Sequence, residues 1–434
     1  MDPFSGKENK PDAVARFRTA AGGKKGRMMK EKHILYDLAS QVREIALSDE
    51  MEKRREWWRR QNSFLGEKPL IYVRAFAFDE FFDRSLLRCQ DPMLRLYEKQ
   101  LHEMLYRSAI GDDYIIEPWV TMNAEYEMPN GERWGVPAGL GEKIQEGGAA
   151  AYQPVLLEED FSCLKAAAYK VNEEKTSRQM EKLSEALGDS LPVFVSRQGP
   201  YSMWEGDIST DLAKLRGLEQ LMWDVYDNPD WLHNLLAFMR DSILANMDAA
   251  EKAGGYSLAD HQNQCMPYAM ELEDPNPSVT GVSRKRLWRF LAAQEFTSYS
   301  PDMFWEFILQ YQKPILERFG MTAYGCCENL TGVIPYLRRI KNLRRIAVSP
   351  FADARKCAEQ IGKDYILSWR PDPSLMLATG LDEGFVRKYL REHFAIFKEC
   401  GNYFDITLKD VETVNKQPEN VKRWVEIVRE ETDR

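Results

Sequence analysis

The chain is short of several things that mark common functions. Histidine is scarce, with 5 in 434 residues, which leaves few places for imidazole chemistry. Cysteine numbers 7, an odd and scattered set that does not form a disulfide framework and fits reduced thiols in a cytoplasm. No apolar run approaches the ~18 residues that a membrane span needs. The N-terminal residues also lack the apolar core of a secretory signal. There is no Gly-x-x-x-x-Gly-Lys-Ser/Thr phosphate loop, and no Gly-x-Ser-x-Gly surrounds Ser349, so nucleophilic-serine chemistry is disfavoured. Basic residues are outnumbered, 59 against 68 acidic ones, and the net charge of -9 argues against a nucleic-acid partner, whose phosphates call for a basic footprint.

What is present is apolar and aromatic: 44% and 12% of the chain, with 11 Trp, which points to a large interior or an aromatic-lined cavity. The length is ample for a core without metal or disulfide staples. Residues 1–28 read as a mobile basic arm, with Lys7, Lys10, Arg16, Arg18, Lys24, Lys25 and Arg27 around Gly22-Gly23. Residues 29–68 read as an N-terminal helical segment, in which Trp57-Trp58 face something apolar and Glu52 to Arg55 face water.

From residue 69 to 434 the pattern is strand and helix in alternation. Short β-branched or aromatic runs predict strands at 69–74, 113–121, 192–196, 256–259, 321–324, 345–348, 365–368 and 403–407. Helical spacing is expected over 80–108, 209–227, 229–252, 301–319, 331–340, from 382, and over 418–431, with Ser300-Pro301 and Asn228-Pro229 as starts. Repeated strand–helix units require a parallel sheet. The open doubly wound form should carry Gly-x-Gly-x-x-Gly after its first strand, and none is present. The expected fold is therefore α/β, a (β/α)8 TIM barrel with an N-terminal helical extension.

Reactive groups in such a barrel lie at the C-terminal strand ends. That rule selects Arg74, Glu117, Arg197, Asp260-His261, Cys326-Cys327-Glu328, Ser349, Trp369-Arg370, Asp410 and Glu412. The adjacent cysteines are the sharpest feature. One thiolate with a carboxylate and an imidazole suits Zn²⁺, which accepts S, N and O donors; one core thiol with a spectator neighbour is the plain alternative. His261, beside Asp260 in a polar loop, suits ligation or proton transfer, or is a surface histidine. Arg74, Arg197 and Arg370 suit a carboxylated substrate, or pair with loop acids. Trp119, Tyr201, Trp204 and Trp369 suit an aryl or cationic ligand, or are core.

The later half resembles the uroporphyrinogen decarboxylase superfamily. Gly217 to Pro229 looks like its Gly-x-Glu-x-x-x-x-Asp-x-x-x-x-Pro stretch, and Ser300-Pro301-Asp302-Met303-Phe304 like its Ser-Pro-x-x-Phe helix start. Tyr324-Gly-Cys-Cys-Glu-Asn329 resembles the His-x-Cys-Gly strand end of the corrinoid-dependent methyltransferase branch, and Pro418-Glu-Asn-Val421 its last helix start. The early strand reads Val73-Arg74-Ala75-Phe76 in place of the decarboxylases' Arg-Gln-Ala-Gly-Arg, which speaks against porphyrinogen decarboxylation.

The resemblance implies a cytoplasmic enzyme that moves a methyl group from a small methylated ether or amine to a corrinoid (cobalamin) protein, with Zn²⁺ assisting. It further implies a barrel whose faces suit a homodimer. In that carry-over Cys326 matches the first zinc cysteine, Tyr324 stands where the histidine would be, and Asp410 lies near the later cysteine. The expected metal set is Cys326, Cys327, Glu328, His261, Asp410 and Glu412, with catalytic roles for His261, Glu328 and Asp260. Substrate contacts are expected from Arg74, Arg197, Tyr324, Trp369 and Arg370. A metal-independent decarboxylase or lyase working through the arginines, and a non-catalytic barrel, stand as the alternatives.

Overall fold

The computed structural model describes residues 13–75, 77–137, 140–143, 150–378 and 380–433. Two helices open the chain, α1 (Ala13–Ala46) and α2 (Asp49–Asn62), separated at Ser48, whose side chain accepts the Met51 N–H as an N-cap. The stretch read as a mobile arm is helical from Ala13 onward; residues 1–12 lie outside the described residues.

Six strands form one parallel, curled sheet: β1 (Ile71–Ala75), β4 (Trp288–Leu291), β5 (Met321–Tyr324), β6 (Leu343–Val348), β7 (Ile366–Trp369) and β8 (Tyr403–Val411), in the order β1-β8-β7-β6-β5-β4. Two more, β2 (Val120–Asn123) and β3 (Val193–Ser196), pair with each other in parallel. A short antiparallel hairpin (Leu140–Lys143 with Ala150–Tyr152) lies between them in sequence. Helices intervene: α3 (Pro92–Ala109), α4 (Glu173–Leu187), α5 (Ser209–Arg216), α6 (Leu218–Asp227), α7 (Pro229–Lys252), α8 (Ala354–Ile361), α9 (Glu383–Glu399) and α10 (Glu419–Thr432). Among the described residues no helix is long and apolar enough to cross a membrane.

The closed eight-stranded barrel expected from the sequence is not what the hydrogen bonds draw. The ladders number six strands and two, and at both seams side-chain contacts and one backbone hydrogen bond, the Asp113 N–H to the Ile71 carbonyl (2.8 Å) at one and the Gln262 N–H to the Trp288 carbonyl at the other, take the place of a ladder. At one seam the Ile71 and Val73 N–H groups donate to the carboxylates of Asp113 (2.7 Å) and Asp112 (2.8 Å). At the other, the Trp288 N–H donates to His261 Nδ1 (3.2 Å) and the Gln262 N–H to the Trp288 carbonyl (3.1 Å). Two expected strands dissolve into these seams. Residues 113–119 are irregular, because Asp112 and Asp113 offer the edge a side chain in place of a ladder. Residues 258–260 form a 3-10 turn, because Ser257 and Asp260 cap each other in a capping box. The strand that replaces the second is β4, in the segment Lys-Arg-Leu-Trp-Arg-Phe, whose lack of β-branched residues hid it.

Alternation along the strands sorts the two faces. One face carries Ile71, Val73, Leu291, Tyr324, Ile346, Val348, Leu367, Trp369, Phe404, Ile406 and Leu408 into the main core beneath the helices. The opposite, inner face carries Trp288, Phe290, Met321 and Ala323, and with them the polar Arg345, Ser368, Asp405, Thr407 and Lys409, all buried. At the strands' N-terminal end α2 closes the interior: Gln61 donates to the Phe404 carbonyl (2.8 Å), and Asn62 to the carbonyls of Met266 (2.9 Å) and Tyr268 (2.7 Å).

Candidate active site

The inner face is polar at two levels. Toward the strands' N-terminal ends, Arg345 donates to Asp405 (2.5 Å), Asn62 Oδ1 (2.6 Å) and Cys265 Sγ (3.3 Å). Asp405 also accepts from Ser368 (3.0 Å) and Thr407 (3.2 Å). Burial pushes the Cys265 thiol up, so it stays protonated.

The second level lies at the C-terminal strand ends, where β5 runs into Gly325-Cys326-Cys327-Glu328. Gly325 has φ +100°, and a Cβ there would stand 2.5 Å from Leu330 Cδ1 and 3.0 Å from Ala347 Cβ, so this turn needs glycine. Three neighbouring strand ends pin it. Glu328 accepts the N–H of Ala293 after β4 (3.0 Å) and that of Cys326 (2.7 Å). Ser349 after β6 donates to the Glu328 carbonyl (3.0 Å). Arg370 after β7 donates to the carbonyls of Gly325 (2.8 Å) and Cys326 (2.6 Å), and to Gln264 Oε1.

β8 supplies the charge. A regular strand would point Lys409 and Asp410 to opposite faces. Here the register against β1 shifts, so that Val73 pairs with Leu408 and Ala75 with Val411, and Asp410 takes φ 56°, left-handed for a residue with a side chain. The bulge delivers both side chains to one place, with Lys409 Nζ 2.6 Å from Asp410 Oδ2. Lys409 Nζ also donates to Cys326 Sγ (2.7 Å) and to Cys327 Sγ (2.9 Å). Gln264 Nε2 donates to Cys326 Sγ at 3.3 Å, and Cys327 Sγ lies 3.1 Å from Asp410 Oδ2.

These contacts divide the protons. The Cys327 thiol donates to Asp410, since two anions would not share 3.1 Å, and it stays protonated, pushed up by its neighbour Cys326 and by burial. Cys326 is surrounded by donors. Its contact with Cys327 and the charges of Arg370 and Lys409, working against burial, hold it well below the ordinary thiol range. Lys409 keeps its proton despite burial and Arg370, because two sulfurs and Asp410 surround it. The result is a thiolate–ammonium pair 4% exposed at each end. Met203 and Trp204, on the loop after β3, pack against the cluster containing Cys326 and Phe290; the Trp204 ring lies 4.9 Å from that of Phe290, and the Arg74 guanidinium stands 5.1 Å from the Trp204 centroid.

The structure brings together Cys326, Cys327, Asp410, Arg370 and, one layer behind, Glu328, whose pKa is raised by burial. It sends the other candidates elsewhere. His261 is at the seam, its Nδ1 occupied by the Trp288 N–H and its Nε2 3.2 Å from the Glu273 carbonyl; burial lowers it to about 4, so it is neutral. Asp260 accepts from Ser196 and from the Ser257 N–H (2.8 Å), and burial raises it to about 6. Tyr324 and Trp369 face the outer core, the first donating to Gln312 (2.6 Å), the second stacked on His393 (4.7 Å). Arg197 pairs with Glu173 on α4 (3.2 Å), Glu117 accepts from Tyr268 (2.6 Å), and Glu412 is exposed. Lys409 and Gln264 were not singled out from the sequence. The signal for Lys409 was the polar series Asp405, Thr407, Lys409 within an otherwise apolar strand.

No family model matches the chain, and no curated protein does. Among solved structures, a methyltransferase from Methanosarcina mazei is similar at 13% identity, covering 87% of this chain and 98% of that one, with a TM-score of 0.44.

Proposed function

We propose that the chain is a methyltransferase that takes a methyl group from a small methylated amine or ether and passes it to the Co(I) centre of a corrinoid protein. The observation that carries this reading is the Cys326 sulfur, held by the Lys409 ammonium at 2.7 Å, at the C-terminal end of a parallel sheet. A desolvated thiolate is a soft nucleophile matched to a methyl carbon and poorly matched to a proton or a phosphoryl group. The order of the family-like motifs, with Cys326 at the position of the first family cysteine, agrees with it. The corrinoid partner meets the site at this end of the sheet, since α2 closes the other. Co(I) and free thiols both call for a reducing compartment, here the cytoplasm.

Zinc has no step in this reading. Among the described residues no three of His, Cys, Asp and Glu gather where a metal ion could be held. Lys409 donates to both sulfurs, so an ammonium stands where a Cys-ligated metal would take its lone pairs. The decarboxylase alternative needs Arg74, Arg197 and Arg370 on one anion; Arg370 is spent on the turn after β5 and Arg197 on α4.

The test is methylcob(III)alamin formation when the full chain, cob(I)alamin and a panel of donors (glycine betaine, choline, 4-methoxybenzoate) are combined. Turnover with one donor class, lowered by ~100-fold or more in Cys326→Ser, is the expected result. No methylcobalamin from any donor refutes the reading.

A further inference from the structure

We propose that the methyl group rests on Cys326 between donor and corrinoid, as an S-methylcysteine, and that the donor is a quaternary methylammonium ion. This deepens the reading above and rests on it.

The choice of sulfur follows from the hydrogen bonds. Lys409 donates to both sulfurs, but Cys327 also faces a carboxylate acceptor at 3.1 Å and so holds its proton, whereas Cys326 faces a second donor, the amide N–H of Gln264. Direct transfer from donor to cobalt would leave that anion, held by Lys409 and Gln264 at the strand ends, a bystander. The site is also tight: Cys326 is 4% exposed, and Met203 and Trp204 pack against the cluster that contains it. In-line transfer in one step would need the donor and the macrocycle of another protein on the same methyl carbon at once. A relay separates them in time. The loop that must yield is the one carrying Trp204, whose φ of 73° is already unfavourable for a residue with a side chain.

The choice of donor follows from charge. In the first displacement the Cys326 lone pair forms the S–CH3 bond while the C–N pair returns to nitrogen. An anion and a cation become a neutral thioether and a neutral tertiary amine, with no proton required. Charge annihilation of this kind is favoured in a site closed to water. An ether would leave as an alkoxide needing a proton, and its source would be Lys409, the ammonium that must stay charged to receive the thiolate in the second displacement. The Trp204 ring holds a cation, the Arg74 guanidinium at 5.1 Å, and a methylammonium would make the same contact in its place. In the second displacement the Co(I) electron pair forms the Co–CH3 bond, giving formal Co(III). The S–C pair then returns to Cys326, where Lys409 and Gln264 receive the thiolate.

The experiment uses the wild-type chain. It is mixed with glycine betaine, choline or tetramethylammonium without corrinoid, quenched, and digested for mass spectrometry; cob(I)alamin is then added to a parallel sample. The expected result is a gain of one methylene (~14 Da) on Cys326 alone, discharged to methylcobalamin within one turnover. Methylcobalamin formed while Cys326 never gains mass overturns the relay and leaves the methyltransferase reading standing. A gain on Cys327, or a gain from 4-methoxybenzoate and from no ammonium donor, overturns the choice of sulfur or of donor. Neither adduct nor methylcobalamin from any donor refutes both readings. Chiral-methyl donors give a second measurement: two displacements retain configuration at the methyl carbon, and one inverts it.

Discussion

Two clusters inside the same sheet use nearly the same parts. Each has a cation, a carboxylate and cysteine, and they stand on alternate inward positions of one strand: Asp405 below, Lys409 and Asp410 above. In the lower one the cation is Arg345, and its fork is filled by Asp405, Asn62 and the Cys265 sulfur. Charge is cancelled by the carboxylate, and the thiol is left neutral. In the upper one the cation is a lysine, a point charge that two sulfurs and an acid share. There the thiol is the group that ionises. What separates a structural cluster from a reactive one is which acid the cation's proton-rich end is given to, more than how much charge is buried.

The comparison can be broken by mutation. The largest effect is expected below: Asp405→Leu leaves Arg345 buried and uncompensated, at a cost of ~3–5 kcal/mol in urea unfolding. Asp410→Leu removes a carboxylate whose side chain is 38% exposed and should cost less, with part of the loss from a leucine at φ 56°. Equal losses would erase the distinction. Next, Lys409→Met should slow iodoacetamide labelling of Cys326 at neutral pH by ~10–100-fold, because the thiolate loses a cation and a donor. Unchanged labelling would mean that the lysine is a bystander.

A third check is pH. Cys326, held well below the ordinary thiol range, should label faster as pH rises through the acid range and level off before an ordinary thiol ionises, since only the anion reacts and acid removes it. Cys265, pushed up by burial, should label only above the ordinary thiol range. A shared profile would refute the division of protons. The smallest effect is Asp410→Asn, which keeps a residue tolerant of the left-handed backbone and should cost under ~1 kcal/mol by thermal unfolding.

Much of the fold was legible. Strands such as Met321–Tyr324 and Ile366–Trp369 are short apolar runs, and their following turns put Cys326 and Arg370 where strand ends should be. The illegible parts have local causes. Residues 113–119 and 256–259 look like strands by composition, but Asp112, Asp113 and Asp260 spend their carboxylates on nearby backbone N–H groups. Lys409 was hidden because the apolar run predicts a strand only over 403–407, and the strand in fact continues to Val411, which carries the lysine onto the inner face. His261 misled for the opposite reason: scarcity drew attention to an imidazole whose two nitrogens are already committed to backbone at the seam.

Those seams bear on how the protein can change. A backbone ladder transmits register, so a one-residue shift in one strand turns over every side chain of its neighbour. Carboxylate and imidazole contacts transmit no such period. The pair β2–β3, which carries the loop with Met203 and Trp204, is joined to the six-stranded sheet through neighbouring segments by such contacts and one backbone hydrogen bond at each seam, not by a ladder, so its register is less tightly tied to the strands that hold Lys409 and Cys326. In the proposed reading, the loop that meets the donor and the strand ends that hold the nucleophile then sit on separately adjustable parts of one chain, and a change of donor does not require rebuilding the thiolate.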